Sequence, residues 1–215
     1  KIILNLGGFL MSNTTLHNEN VSVTLKSLGA ELTSIKDASG TEYLWQGNPE
    51  FWSGQAPVLF PIVGCLRNGT ATIGDNKTCS FGRHGLARRL EFDLVSSSDT
   101  SVTYSLKANE LQMTYELTEH GVKVSHTVIN HDSVVMPYCV GGHPAFNCPV
   151  FENESFEDYI VEFEQPENAA CAQLTEDGLI NNADRVSVLE NEAVIPVRHS
   201  LFYKDALVFD ALKSR

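Results

Sequence analysis

Val102-Thr103-Tyr104-Ser105-Leu106, Leu111-Gln112-Met113-Thr114-Tyr115-Glu116-Leu117-Thr118 and Val122-Lys123-Val124-Ser125-His126-Thr127-Val128-Ile129 follow one another, with a fourth run at Glu91–Val95 just before them. Each alternates apolar with polar residues, the period of a strand that turns one face to a core and the other to water. Ser/Asp, Ala/Asn and Glu-His-Gly turns separate them, so residues 90–130 predict consecutive antiparallel strands.

The same signal extends in both directions. Val21–Leu25 alternates, and Ala30–Ile35 lies between Gly29 and the turn Asp37-Ala38-Ser39-Gly40, which together predict a hairpin. Asn48-Pro49 predicts a short helical turn, with Asn as cap and Pro at the first helical position. Pro57–Gly64 is almost wholly apolar but carries two prolines, which predicts a buried, distorted edge strand. Thr70–Ile73 and Lys77–Phe81 read as strands about Gly74-Asp75-Asn76, with Asn68-Gly69 as a turn ahead of them. Further strands are expected at Tyr159–Phe163, Val186–Leu189, Ala193–Val197 and Ala206–Phe209. No amphipathic helix longer than about three turns is visible. The expected fold is mainly β: one large antiparallel β-sandwich over residues 11–215, its last strands lying beyond Arg215. Residues 1–10 read as an upstream leader or fusion segment before Met11.

Composition narrows the function. The chain of 215 residues carries 27 acidic and 15 basic side chains, a formal net charge of -12, which repels nucleic acid and anionic membranes. No stretch approaches the ~20 apolar residues of a membrane-spanning helix. Five cysteines at irregular spacing fit free, buried thiols in the cytoplasm better than a disulfide framework. Asn-x-Ser/Thr triplets at Asn13, Asn20, Asn68, Asn76 and Asn153 are chance matches on this reading.

Two glycine-marked stretches hold the chemistry. Phe81-Gly82-Arg83-His84-Gly85-Leu86-Ala87-Arg88-Arg89 sets a titratable ring among arginines, and Gly141-Gly142-His143-Pro144-Ala145-Phe146-Asn147 sets another beside a rigid proline. Glycines let a ligand approach the backbone, and two imidazoles suit acid–base work near neutral pH. The residues show no close His/Cys pair spacing for a metal ion, no Gly-x-Ser-x-Gly elbow and no phosphate-cradling loop. His120, His126 and His131 read as structural or exposed, and Trp45 and Trp52 as packing residues, with a sugar-stacking platform as the alternative.

In this order, Gly29-Ala30-Glu31-Leu32, Glu42-Tyr43-Leu44-Trp45, Pro57–Gly64, His84–Arg88 and Gly141–Asn147 resemble the aldose 1-epimerases of the galactose mutarotase-like superfamily, in particular their LacX-like subgroup. The resemblance implies a β-sandwich with a sugar cleft, no cofactor, and interconversion of α and β anomers of an aldohexose by ring opening. It implies that His143 is the acid and His84 the second histidine on the ring-oxygen side. Arg67 lies near the family's substrate-binding arginine, Arg88 belongs to the family motif, and Asp205 is a further acceptor for sugar hydroxyls. The family's base is a glutamate in a Glu-Pro-Trp-like stretch near the C-terminus, which residues 1–215 do not contain. Two alternatives stand: a hexose-phosphate mutarotase using Arg83, Arg88 and Arg89 as a phosphate clamp, and a sugar-binding module without turnover.

Overall fold

A computed structural model describes residues 12–74, 77–106 and 111–214. The leader reading of residues 1–10, and the turns expected at Asp75-Asn76 and within 107–110, lie outside the described residues. In chain order the strands are β1 (Asn13–His17), β2 (Val21–Lys26), β3 (Glu31–Asp37), β4 (Val58–Leu59), β5 (Thr70–Ile73), β6 (Lys77–Ser80), β7 (Asp93–Ser97), β8 (Ser101–Leu106), β9 (Leu111–Leu117), β10 (Val122–Val128), β11 (Gly141–Gly142), β12 (Ile160–Leu174) and β13 (Ile180–Pro196). Every ladder whose register is defined is antiparallel. The contacts group into two compact units, Lys1–Val63 with Thr72–Phe146, and Gly64–Ala71 with Asn147–Arg215.

The first unit is built from two sheets, β1-β2-β3 and β10-β9-β8-β7. The four-stranded sheet is the expected meander, joined in sequence order. Alternation explains why it folds this way: Leu111, Met113 and Tyr115 of β9 are buried while Gln112 and Thr114 between them are half-buried. On the other sheet Val21, Val23 and Leu25 do the same. Leu16, Val23 and Leu25 from one sheet share a core with Val102, Tyr104, Leu111 and Met113 from the other. Each such side chain removed from water contributes roughly 1.5–3 kcal/mol. Two tyrosines join the sheets through their hydroxyls: Tyr104 donates to Thr14 Oγ1 at 2.8 Å and Tyr115 to the Ala30 carbonyl at 2.6 Å.

Pro57–Gly64 forms far less ladder than its apolar composition suggests. Val58 and Leu59 form a two-residue ladder with Gly142 and Gly141 of β11, and Phe60 adds one isolated bridge. Pro57 and Pro61 flank this pair and lack the N–H that a longer ladder needs. The Asn48 turn is a single hydrogen-bonded turn rather than a helix: the Asn48 carbonyl accepts from Phe51 and Trp52, and its side chain accepts from Glu50.

In the second unit β12 and β13 form one long hairpin of 15 and 17 residues. The separate strands expected at Tyr159–Phe163, Val186–Leu189 and Ala193–Val197 are parts of it. Ala206–Phe209 is not a strand; Val208 makes one isolated bridge to Ala172. The hairpin is secured at Arg185, whose guanidinium donates to both carboxylate oxygens of Asp210, at 3.0 and 2.7 Å, and to the Ala170 carbonyl at 2.6 Å. Buried Glu167 accepts from the amides of Lys213 and Ser214 and from the Ser214 hydroxyl. All five cysteines are free thiols, but only Cys171 is buried and Cys139 is exposed, which corrects the expectation of uniformly buried thiols. Among the described residues no helix is long and apolar enough to cross a membrane.

Candidate active site

The short strand β4 and its flanks organise the two histidine stretches of the first unit. At one end the Pro57 carbonyl accepts the backbone N–H of His143 at 3.1 Å. At the other, the Phe60 carbonyl accepts from Leu86 at 2.9 Å and Ala87 at 3.2 Å, and Phe60 bridges Gly85 in parallel. Four residues of extended backbone therefore carry both loops, and the imidazoles of His84 and His143 meet with ring centroids 5.4 Å apart at 67°. Sequence reading singled out both rings; the structure brings them together.

Gly85 is required by this arrangement. Its φ is +73°, and a Cβ there would lie 2.2 Å from the Phe60 carbonyl oxygen, closer than any real contact. His84 itself adopts a φ of 65° in the left-handed region, which a non-glycine residue occupies at a cost and which is concentrated at functional sites. The turn is closed by Gly85 N–H donating to the Gly82 carbonyl at 3.0 Å.

The electrostatics favour a neutral His84. Burial lowers its pKa below the ordinary value, and the positive charges of His143, Arg88 and Arg83 lower it further. A neutral imidazole carries one N–H donor and one acceptor nitrogen. His143 is exposed while His84 is half-buried.

Arg88 sits within this loop. It donates from Nη2 to the Arg83 carbonyl at 3.0 Å, and its Nε is buried without a hydrogen-bond partner among the described residues. The guanidinium thus braces the His84 turn. Arg83 and Arg89 are exposed. Arg67 and Asp205 belong to the second unit, Arg67 exposed at the start of a 3₁₀ turn and Asp205 exposed with a φ of 75°.

The acidic residues of the early motifs serve the framework. Glu31 is 5% exposed; its Oε1 accepts from the amides of Gln55 at 3.0 Å and Ala56 at 2.9 Å, and its Oε2 pairs with Lys26 at 2.6 Å. Glu42 accepts from the amides of Ile35 and Leu44 and from the Ser34 hydroxyl. These carboxylates hold the irregular backbone at Leu44, Gln55 and Ala56 and the edge amide of Ile35 in β3. Among the described residues no group of three or more His, Cys, Asp or Glu side chains is placed to hold a metal ion.

One neighbour of the histidine pair is not a titratable group. The Trp52 indole lies 5.3 Å from the His143 ring, tilted by 46°. Its place is set by a hydrogen bond from Trp45 Nε1 to the Trp52 carbonyl at 2.8 Å. Nothing in the local sequence signals this pairing.

Comparison with known proteins identifies the family in which this mainly antiparallel β architecture, with two histidines on glycine-marked loops around one short strand, belongs. The family pattern of aldose 1-epimerases matches residues 12–195, and the chain belongs to that family. It is 42% identical over 217 residues to the plasmid-borne protein LacX of Lactococcus lactis subsp. lactis, covering 93% of this chain and 73% of LacX. The chromosomal LacX of that organism matches equally well. Among solved structures, a galactose mutarotase related enzyme from Lactobacillus acidophilus superposes with a TM-score of 0.87 at 30% identity, covering 94% of this chain and 70% of the other. A galactose mutarotase-like protein from Lactobacillus casei gives a TM-score of 0.80 at 31% identity, covering 90% and 70%.

Proposed function

We propose that this protein is a cofactor-independent mutarotase that interconverts the α and β anomers of an aldohexose. The observation that carries this reading is the pair of imidazoles 5.4 Å apart on loops held by one strand, one exposed and one half-buried and biased toward neutrality. Ring opening needs a proton removed from the anomeric hydroxyl while the C1–O5 bond breaks and O5 gains a proton. His143 donates the proton to O5. His84, neutral, hydrogen-bonds at the ring-oxygen side and supports the charge that develops there. The open-chain aldehyde rotates about C1–C2, and the reverse steps close the ring on either face.

Glu31 and Glu42 are engaged with backbone amides and with Lys26 or Ser34, which argues against either as the base. The reading assigns that role to the glutamate of the family's C-terminal Glu-Pro-Trp-like motif, outside residues 1–215. Arg67 and Asp205 are proposed to contact sugar hydroxyls, and Arg88 to brace the His84 turn against the substrate.

Polarimetry on freshly dissolved α-galactose and α-glucose tests the reading, with this chain and with a longer one that carries the C-terminal motif. The longer chain is expected to equilibrate the anomers well above the buffer rate. His143→Ala in it is expected to lower turnover by roughly a hundredfold while sugar affinity changes little. A longer chain no faster than buffer would leave a binding module instead. Glucose 6-phosphate, run alongside, separates the phosphate-ester reading: a preference for it that disappears in Arg83→Ala and Arg89→Ala would replace the neutral hexose.

A further inference from the structure

We propose that Trp52 is the wall on which the sugar stacks, a specificity-determining residue that presents an aldopyranose edge-on to His143. The inference rests on the mutarotase reading and deepens it.

Trp52 is not part of the hydrophobic core of its unit, although that core takes in Leu44, Ala56, Val58 and Phe60 on either side of it in sequence. A large aromatic left half-buried beside an exposed imidazole is not placed there by the burial of apolar area alone. Its position is nonetheless tightly specified. The Trp52 amide donates to the Asn48 carbonyl at 2.8 Å, and the Trp52 carbonyl accepts from Trp45 Nε1. Just downstream the amides of Gln55 and Ala56 are held by Glu31, and the Gln55 and Pro57 carbonyls accept from Ala145 and His143. The backbone that carries the indole and the backbone that carries the acid imidazole are therefore laced together residue by residue.

Gly54 completes the device. A Cβ at this position would lie 2.5 Å from Cζ2 and 2.8 Å from Cε2 of the Trp52 indole. The six-membered ring occupies the space that any other residue would fill. Glycine here is thus a requirement of where the indole rests, not of a turn: its φ lies outside the left-handed region.

The chemistry that fits this wall is a pyranose. One face of an aldohexose ring presents C–H groups and suits a flat apolar surface, while its hydroxyls and ring oxygen point outward from the rim. A sugar lying on the indole has that rim toward the imidazole 5.3 Å away. Holding the ring oxygen at a fixed angle to the acid is the positioning that makes proton transfer effectively intramolecular.

The test uses the 215-residue chain and binding rather than turnover. Its two tryptophans are Trp45 and Trp52, so each single replacement leaves one reporter. Galactose and glucose are titrated in separate experiments, followed by tryptophan emission and by calorimetry. Trp45→Phe is expected to keep a sugar-dependent change in emission, and Trp52→Phe to lose it while retaining most of the affinity. Trp52→Ala is expected to weaken binding by roughly tenfold, the scale of a lost apolar pocket contact. Gly54→Ala, which displaces the indole without removing it, is expected to weaken binding severalfold. In the anomerisation assay Trp52→Ala should raise KM more than it lowers kcat. Wild-type binding with unchanged affinity in both Trp52→Ala and Gly54→Ala overturns the stacking wall and leaves the mutarotase reading intact. Absence of any galactose or glucose binding by the wild-type chain overturns both.

Discussion

Two pairs of side chains in the first unit sit in similar motif surroundings and come to opposite ends. Glu31 and Glu42 are acids whose oxygens are taken up by backbone amides, a lysine and a serine. The His84 and His143 rings meet edge to face, with the His143 amide donating to the Pro57 carbonyl and Gly85, Leu86 and Ala87 tying the turn that follows His84 to Phe60. The acids spend their hydrogen-bonding capacity on the fold, while the two imidazoles are brought into contact with each other.

The comparison breaks first at the backbone. Gly85→Ala puts a Cβ against the Phe60 carbonyl in a left-handed conformation, so the expected loss is about 4 kcal/mol or more in urea unfolding. Gly82→Ala, in the same turn with nothing within 4 Å of the added carbon, is expected to stay within about 0.5 kcal/mol. Equal stability of the two variants would remove the steric basis for the histidine turn.

Next comes the framework acid. Glu31→Ala leaves two amides, one of them on buried Ala56, without an acceptor and is expected to cost about 3 kcal/mol. A Glu31→Ala protein that stays as stable as wild type but loses activity would move Glu31 from structure to chemistry.

The smallest effect is a titration. His84 has a native pKa below its unfolded value of about 6.5, so between these values the unfolded chain binds more protons. Stability therefore rises with pH through that window and falls as pH drops below about 6.5. His84→Asn, which tolerates the left-handed φ, is expected to flatten this acid limb. His143→Asn removes a positive neighbour and is expected to raise the His84 titration toward 6.5, measured by the imidazole resonances in NMR. A His84 that titrates at its ordinary value in the wild type would remove the argument for its neutrality.

The meander β7–β10 was legible because alternation persists through the runs of β8, β9 and β10, while β7, exposed along its length, follows them by pairing with β8. β1 was not: Asn13-Thr14-Thr15-Leu16-His17 holds one apolar side chain, and its strand character comes from pairing with β2. β12 and β13 were legible only in pieces. Their ladder shifts register four times, and each shift interrupts the period of two that marks a strand. The expected strand at Ala206–Phe209 failed for the opposite reason. Its apolar run is suited to pairing, but only Val208 finds a partner there.

The histidines were legible as residues and, through the family motifs, as two members of one site, but not as rings in contact. Glycine punctuation marked both loops, and the family motifs marked both rings. That the Arg88 guanidinium reaches the Arg83 carbonyl, or that Trp52 stands against His143, depends on contacts between segments distant in sequence or on side-chain direction, which no local pattern encodes.

By itself, the sequence determined the mainly β class, the meander and the identity of the two imidazoles, because these rest on local alternation and on glycine and proline geometry. Only the tertiary structure decided which carboxylates the fold consumed and which rings came into contact. That allocation depends on which backbone amides lack a ladder partner, and a chain learns this only when Pro57–Phe60 has been laid between its two histidine loops.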